Sequence, residues 1–544
     1  MIVTEEDHDV RLRHCLLLSS DPRLKVGPLE DKLLLDVDNA GKDVRYLTSS
    51  PKGPEVQSLV KEQDVDEGEE RITSRAKIAW LVAALLLAVG SYQLNNTMIA
   101  PANPLIIKEL GSDTATVGLA QTLFLIVGAI SAIIVTRVSD WTGRRRALIF
   151  SLASLVVGNL IVATAPNIGF YLAGRTLSGL CGAVFAFAFL ILHDVLELKT
   201  FSRALAVIAA VKAGLGGGEA VLSGIIVDHL GYRAVFWTML AFTIVALVVC
   251  RFAVPEKVTS KPQRIDWTGS ILIAGGLTGI SLALSQGGKW GWLSAPTLLV
   301  LLGGVVLLVA FPFAERRATS PLMRPSELRS RNAWPLLSAN VLILAGAFGA
   351  TGFVLPLLAQ NAGAGFGMTA TESALLYVMP VSLVGFAFAP IAGSVAPRIG
   401  WRNILLGGLA VTIVAMIVLA AASESPMLAF LMTLVLGAFY TGMVLTALDG
   451  LGVLLASKDE PGALTGFNTA AFGIGASLGV AITGGVITSS QLNGAPTHGG
   501  YALALWICAG LVVAGSLFSL LIPKRGVGIV DEQVPAGEAG QRVA

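Results

Sequence analysis

Three ionisable side chains sit where the surrounding sequence offers them no water: Arg175, Lys212 and Glu219. Arg175 falls in the apolar run 169–192 and the other two fall in the run 203–226. A charge inside such a run costs about 2.5–3.5 kcal/mol on insertion scales, so it persists only with a partner or a task. Arg175 lies about 7 residues and Glu219 about 8 from the same end of their runs, roughly 10–12 Å deep in both cases. Lys212 precedes Glu219 by 7 residues, on nearly the same helical face. A carboxyl with a basic partner in a dry setting can act as a protonation switch. Glu219, with Arg175 or Lys212 as its partner, is therefore the candidate coupling group; the bland alternative is a static ion pair joining two helices. A second set of polar residues falls at similar depth: Tyr92, Gln93, Asn95, Asn96, Asn340, Gln360, Tyr377 and Asn468. Their amide and phenol groups both donate and accept, which suits the lining of a cavity for a small-molecule substrate. The alternative for each is an ordinary interhelical hydrogen bond.

The elements that must hold these groups follow from composition. Hydrophobic residues make up 54% of the chain and charged residues only 14%, and mean hydropathy is +0.74. Soluble domains carry about 25% charged residues, so the bulk of the chain belongs in lipid. From Ala76 onward, apolar runs of membrane length recur: 77–99, 116–136, 146–165, 169–192, 203–226, 233–253, 267–286, 294–314, 334–358, 372–396, 402–422, 426–455, 464–487 and 500–522. Each reaches about 30 Å as a helix, enough to cross the hydrocarbon core. The reading is an all-α polytopic membrane protein of about 14 spans.

Positive charge then sets orientation. Alternate loops are basic, carrying Arg137 and Arg144 to Arg146, then Lys199 and Arg203, then Arg251, Lys257, Lys261 and Arg264. The series continues with Arg316, Arg317, Arg324, Arg329 and Arg331, then Arg398 and Arg402, then Lys458, and ends with Lys524 and Arg525. The opposite loops hold only Lys108, Arg233 and Lys289. Lys and Arg resist translocation, which places both termini in the cytoplasm of a multi-pass protein of the cell membrane. Residues 1–74 are acidic and without periodicity, and read as a disordered cytoplasmic tail. The rest divides into a six-helix bundle at 75–255, two inserted helices with a cytoplasmic linker at 256–332, a second six-helix bundle at 333–523 and a cytoplasmic tail at 524–544.

Enzyme chemistry finds no support. The 4 cysteines are scattered and form no CxxC pair, and the 5 histidines are placed where no two could share a metal or haem within the spans. No nucleotide-cradling loop lies on the basic side. The expectation is no metal, no cofactor and no nucleic acid, with a small-molecule substrate, protons and the lipid bilayer as partners and a monomeric state.

Two loops carry the most specific pattern. The first runs from Thr136 through Asp140 and Gly143 to Arg144, Arg145 and Arg146; the second runs from Gly393 through Pro397, Arg398 and Gly400 to Arg402. Asp140 matches Pro397, Gly143 matches Gly400 and Arg145 matches Arg402 at a constant offset of 257 residues. Glycine permits the tight turn, and Asp140 paired with an arginine would latch two bundles at the basic face. Asp140, Gly143, Arg144, Arg145, Arg398 and Arg402 are the candidate gating residues. This loop resembles the signature loop of the major facilitator superfamily, which implies two homologous halves with the substrate site between them near the bilayer midplane. With Ile265 to Gly269, Ser285 to Trp292 and Phe313 to Arg317 in order, the chain from about 76 to 523 is similar to the fourteen-span drug:proton antiporter group. That group carries Leu-Asp-x-Thr in the first span, where this chain has Leu94-Asn95-Asn96-Thr97, and Gly-Pro-x-x-Gly-Gly in the fifth, where Glu219 to Gly224 align. A titratable group is lost in one place and appears in the other.

The resemblance implies a secondary active transporter, with proton-coupled efflux of amphipathic organic compounds or drugs as the first expectation. Proton-coupled uptake of an organic anion, bound by Arg175 and Lys212, is the rival. A non-transporting membrane sensor is the expectation from another class.

Overall fold

The computed structural model describes residues 34–37, 44–48, 55–57, 74–196, 198–256, 267–317, 330–455, 461–492 and 494–523. Residues 1–70 and 71–544 form two separate units.

In the first unit, β1 (Leu34–Val37), β2 (Val44–Thr48) and β3 (Glu55–Gln57) form an antiparallel sheet in the order β1-β2-β3, with Leu34 opposite Leu47 and Tyr46 opposite Gln57. These strands stand in a stretch whose acidic, aperiodic sequence reads as disordered. The strands fall where Val, Leu, Tyr and Thr cluster, residue types that favour an extended, pleated backbone. The other residues of that tail, and those of the tail at 524–544, lie outside the described residues.

The second unit is helical. Its long helices are α1 (Arg75–Glu109), α2 (Thr114–Thr142), α3 (Arg144–Ala163), α4 (Ile168–Val195), α5 (Leu198–Leu230), α6 (Tyr232–Ala253), α7 (Trp267–Trp290) and α8 (Ala295–Glu315). They are followed by α9 (Trp334–Gln360), α10 (Ala370–Ala396), α11 (Trp401–Ala421), α12 (Pro426–Leu454), α13 (Pro461–Ser489) and α14 (His498–Ser519). Among the described residues 13 helices are long and apolar enough to cross a membrane, and α5 supplies the expected fourteenth helix. The outermost is α8, whose Leu299, Leu302, Val306, Val309 and Phe313 are exposed to the surroundings. A soluble protein avoids such an apolar face; here it is the surface meant for lipid.

Helix ends away from the basic loops are capped by short polar residues. Asp113 accepts from Thr116 N at 2.9 Å, Asn167 from Phe170 N at 3.2 Å and Thr497 from Gly500 N at 3.2 Å. Thr369 forms a capping box with Glu372 at the start of α10. These residues satisfy N–H groups that a helix leaves open.

The repeat read from the sequence returns in the backbone. Gly143, between α2 and α3, has φ 100° and ψ 134°, while Gly400, between α10 and α11, has φ 90° and ψ 136°. Positive φ of this kind is strained for any side chain. The two halves therefore turn the same corner in the same way, 257 residues apart.

Candidate functional site

The first cluster is built where α1, α2, α4 and α5 meet. Arg175, on α4, is fully buried at 0% exposure. Its Nη2 donates to the Asn95 carbonyl at 3.2 Å and to Gln121 Oε1 at 2.8 Å, and its guanidinium lies 4.2 Å from the centroid of the Phe124 ring. Its Nε and Nη1 are buried without a hydrogen-bond partner. Gln121 Nε2 in turn donates to Asn96 Oδ1 at 3.3 Å. Tyr92 stacks on Phe124, 5.7 Å between ring centres, and meets Phe185 edge-on. Asn95 donates to the Ser91 carbonyl at 3.0 Å and leaves its own oxygen unpaired.

Glu219, on α5, is 7% exposed and faces the end of the first long segment of α1. Thr97 Oγ1 lies 2.5 Å from Glu219 Oε2 and 2.9 Å from the Gln93 carbonyl. Glu219 Oε1 is buried without a partner. Four residues on, Ser223 donates to the Met98 carbonyl. A hydroxyl owns one proton, so Thr97 cannot donate to both neighbours at once. With Glu219 ionised, Thr97 donates to the carboxylate. With Glu219 protonated, the acid donates to Thr97, and Thr97 donates to Gln93. The hydrogen bond between Thr97 and Glu219 Oε2 is kept in both protonation states.

Of the two expected partners of Glu219, Arg175 is corrected. Arg175 is held by an amide, a carbonyl and a ring rather than by Glu219, and the partner of Glu219 is Thr97. Equal depth along two helices does not fix the direction each side chain faces. The Lys212 side chain lies outside the described residues.

The expected cavity residues separate. Tyr92, Asn95 and Asn96 gather around Arg175, and Gln93 is drawn in through its carbonyl. Asn340 and Asn468 form a second centre in the other half: Asn340 Nδ2 donates to Asn468 Oδ1 at 2.8 Å, and Asn468 Nδ2 donates to the Leu448 carbonyl at 3.1 Å. Gln360 donates to the Pro356 carbonyl one turn back, and Tyr377 to the Pro426 carbonyl at the start of α12. Neither joins the Arg175 cluster. Gln121 and Thr97 were missed by the sequence reading, although Gln121 is a lone amide in an apolar span and carried the same signal as Asn95.

At the basic end, the arginines after Gly143 find carboxylates within their own half. Arg144 Nη1 lies 2.7 Å from Asp194 Oδ2, and Arg145 Nε lies 3.2 Å from Glu256 Oε2, which Arg146 also approaches at 3.6 Å. These pairs clamp the start of α3 to the end of α4 and to the residues after α6. The Asp140 side chain lies outside the described residues. In the second half Arg402 donates to the Leu520 carbonyl at 2.8 Å, and Arg398 is exposed. An apolar crevice of about 500 Å³ opens between α2, α7, α8, α9, α13 and α14, with Ile133, Phe311, Val341, Phe467 and Phe518 among its walls.

The model of the Major Facilitator Superfamily matches residues 85–480. The chain belongs to that superfamily. A uridine/deoxyuridine transporter of Lactococcus lactis subsp. cremoris is 31% identical, over 82% of this chain and 95% of that protein. The tetracenomycin C resistance and export protein of Streptomyces glaucescens is 26% identical, over 75% of each chain. In fold, the xylose transporter XylE from E. coli is similar at a TM-score of 0.55 and 13% identity, over 82% of this chain and 97% of that one. The chain is thus a multi-pass membrane transporter of the superfamily.

Proposed function

We propose that the chain moves a small polar solute of the nucleoside class inward across the membrane, driven by protons carried on Glu219. The observation that carries the coupling is the Thr97 hydroxyl, placed to serve Glu219 in either protonation state. Arg175, next to Asn95 two residues before Thr97 on α1, has two buried donor nitrogens, Gln121 and Asn96 offer amides, and Tyr92 with Phe124 offers ring faces. A planar heterocycle with carbonyl acceptors uses all three. The Lactococcus relative, a uridine/deoxyuridine transporter, supports the same substrate class.

The test uses purified chain in proteoliposomes with labelled uridine. Glu219→Gln is expected to lower gradient-driven accumulation by at least about tenfold while uridine exchange at equal pH persists. That split is the signature of lost coupling rather than lost binding. Gradient-driven uptake that survives Glu219→Gln sinks the coupling role. Absence of any uridine exchange by the unaltered chain sinks the substrate class.

A second reading is proton-coupled export of amphipathic compounds. The apolar crevice favours it, as does the Streptomyces export protein. Accumulation of apolar dyes in a host stripped of its own pumps, with and without a collapsed proton gradient, separates the two.

A further inference from the structure

At the end remote from the basic loops, two of the contacts between the halves are related by the internal repeat. The start of α2 is met by α13, where Thr488 Oγ1 accepts from Ala115 N at 3.1 Å. The start of α10, the counterpart of α2, is met by α5. There the acceptor is a carboxylate. Asp228 Oδ1 accepts from Ala370 N at 3.0 Å, and Asp228 Oδ2 accepts from Thr371 N at 2.9 Å and from the Thr371 hydroxyl at 2.5 Å. Thr369 and Glu372 serve the other two, the Thr369 hydroxyl taking Glu372 N and the Glu372 carboxylate taking Thr369 N. All four open N–H groups of α10 are satisfied, two of them by a carboxylate from the other half. The helices touch closely one turn earlier as well, since a Cβ on Gly224 would come within 2.6 Å of Thr371 Cα.

We propose that Asp228 is the latch of this gate: a carboxylate on one half that caps a helix of the other and holds the end remote from the basic loops closed. Alternating access requires the halves to part here, and parting takes the cap away from Ala370 and Thr371. A carboxylate at a helix N-terminus gains from the aligned peptide dipoles as well as from its hydrogen bonds. Thr488 on the opposite side accepts one such hydrogen bond and carries no charge. Asp228 is exposed, so water can take over its hydrogen bonds when the gate opens. The role does not depend on which solute is carried.

The experiment measures the opening directly. Spin labels are placed at Pro166→Cys and Ala362→Cys, exposed positions near this end in different halves. The background carries Cys15→Ser, the other three cysteines being buried. Pulsed electron resonance on the full chain in lipid nanodiscs gives the distance distribution. Asp228→Ala is expected to raise the long-distance population about fivefold relative to the unaltered chain, the scale of losing one helix cap. Asp228→Asn, which keeps the shape and one acceptor oxygen, should fall between them and serves as the reading if the alanine variant fails to fold. Thr488→Ala should shift the distribution less than either. An unchanged distribution for both Asp228 variants overturns the latch. So does a shift no larger than that of Thr488→Ala.

Discussion

Arg175 brings a charge into a helix that gives it no carboxylate. Its support comes from Gln121 Oε1, the Asn95 carbonyl and the Phe124 ring, a set matched to a flat guanidinium rather than to a positive charge in general. Lysine keeps the charge but loses the planar fork and the stacking. Arg175→Lys is therefore expected to lower kcat/KM for uridine in proteoliposomes by about tenfold or more, for the loss of one charge-assisted hydrogen bond. Its thermal unfolding midpoint should stay nearly unchanged, because a lysine stem still fills much of the space. If Arg175→Lys transports normally, the guanidinium is structural filling. The residue types of this site were legible in the sequence because a polar group in an apolar run stands out. The partners were not. Arg175 and Glu219 lie at matching depth, yet one faces α2 and the other faces Thr97 on α1, and depth carries no information about azimuth. The choice between Thr97 and a basic residue as the partner of Glu219 depends on helix rotation, which packing decides.

Among the elements, the two glycine corners make the clearest comparison. Gly143 and Gly400 share a backbone conformation, but their surroundings differ. A Cβ at Gly143 would run into the Glu256 carboxylate, while at Gly400 its nearest neighbour is the Asn403 amide at 3.9 Å. Alanine at Gly400 should cost only the strain of positive φ, about 1 kcal/mol. Alanine at Gly143 should cost more, since it also pushes Glu256 away from Arg145 and Arg146. The excess should vanish when Glu256→Ala is combined with Gly143→Ala, a cycle read by thermal unfolding in detergent. Equal losses at the two glycines, or an excess that persists without Glu256, would contradict this account. The corners themselves were visible in the sequence as a repeated spacing. The clamp was not, because Asp194 and Glu256 lie 50 and 112 residues beyond Arg144 with no motif linking them.

On the scale of the whole molecule, the inserted pair α7 and α8 bears on how the halves can move. α7 bonds to both halves at the end remote from the basic loops. Ser285 donates to the Ala115 carbonyl at 2.8 Å, Lys289 lies 3.3 Å from Asp113, and Gly288 packs its bare backbone on Gly485 of α13. The Lys289 side chain is 56% exposed, and exposed ion pairs contribute about 0–1 kcal/mol. Gly288 and Gly485 face each other with no room for a methyl group, so any side chain there must lift α7 off α13. Overpacking of that kind costs about 1–3 kcal/mol. Gly288→Ala is thus expected to lower the unfolding midpoint and the transport rate, whereas Lys289→Ala leaves both near those of the unaltered chain. Lipid-reconstituted uridine exchange and thermal unfolding, run on both variants, provide the check. A larger loss for Lys289→Ala would mean that charge, not backbone contact, ties the inserted helices to the two halves. A loss confined to Gly288→Ala means that α7 rides with α13 as a packed unit, so opening must occur between α7 and α2, where the bonds at this end among the described residues include the Ser285 hydroxyl and one exposed ion pair.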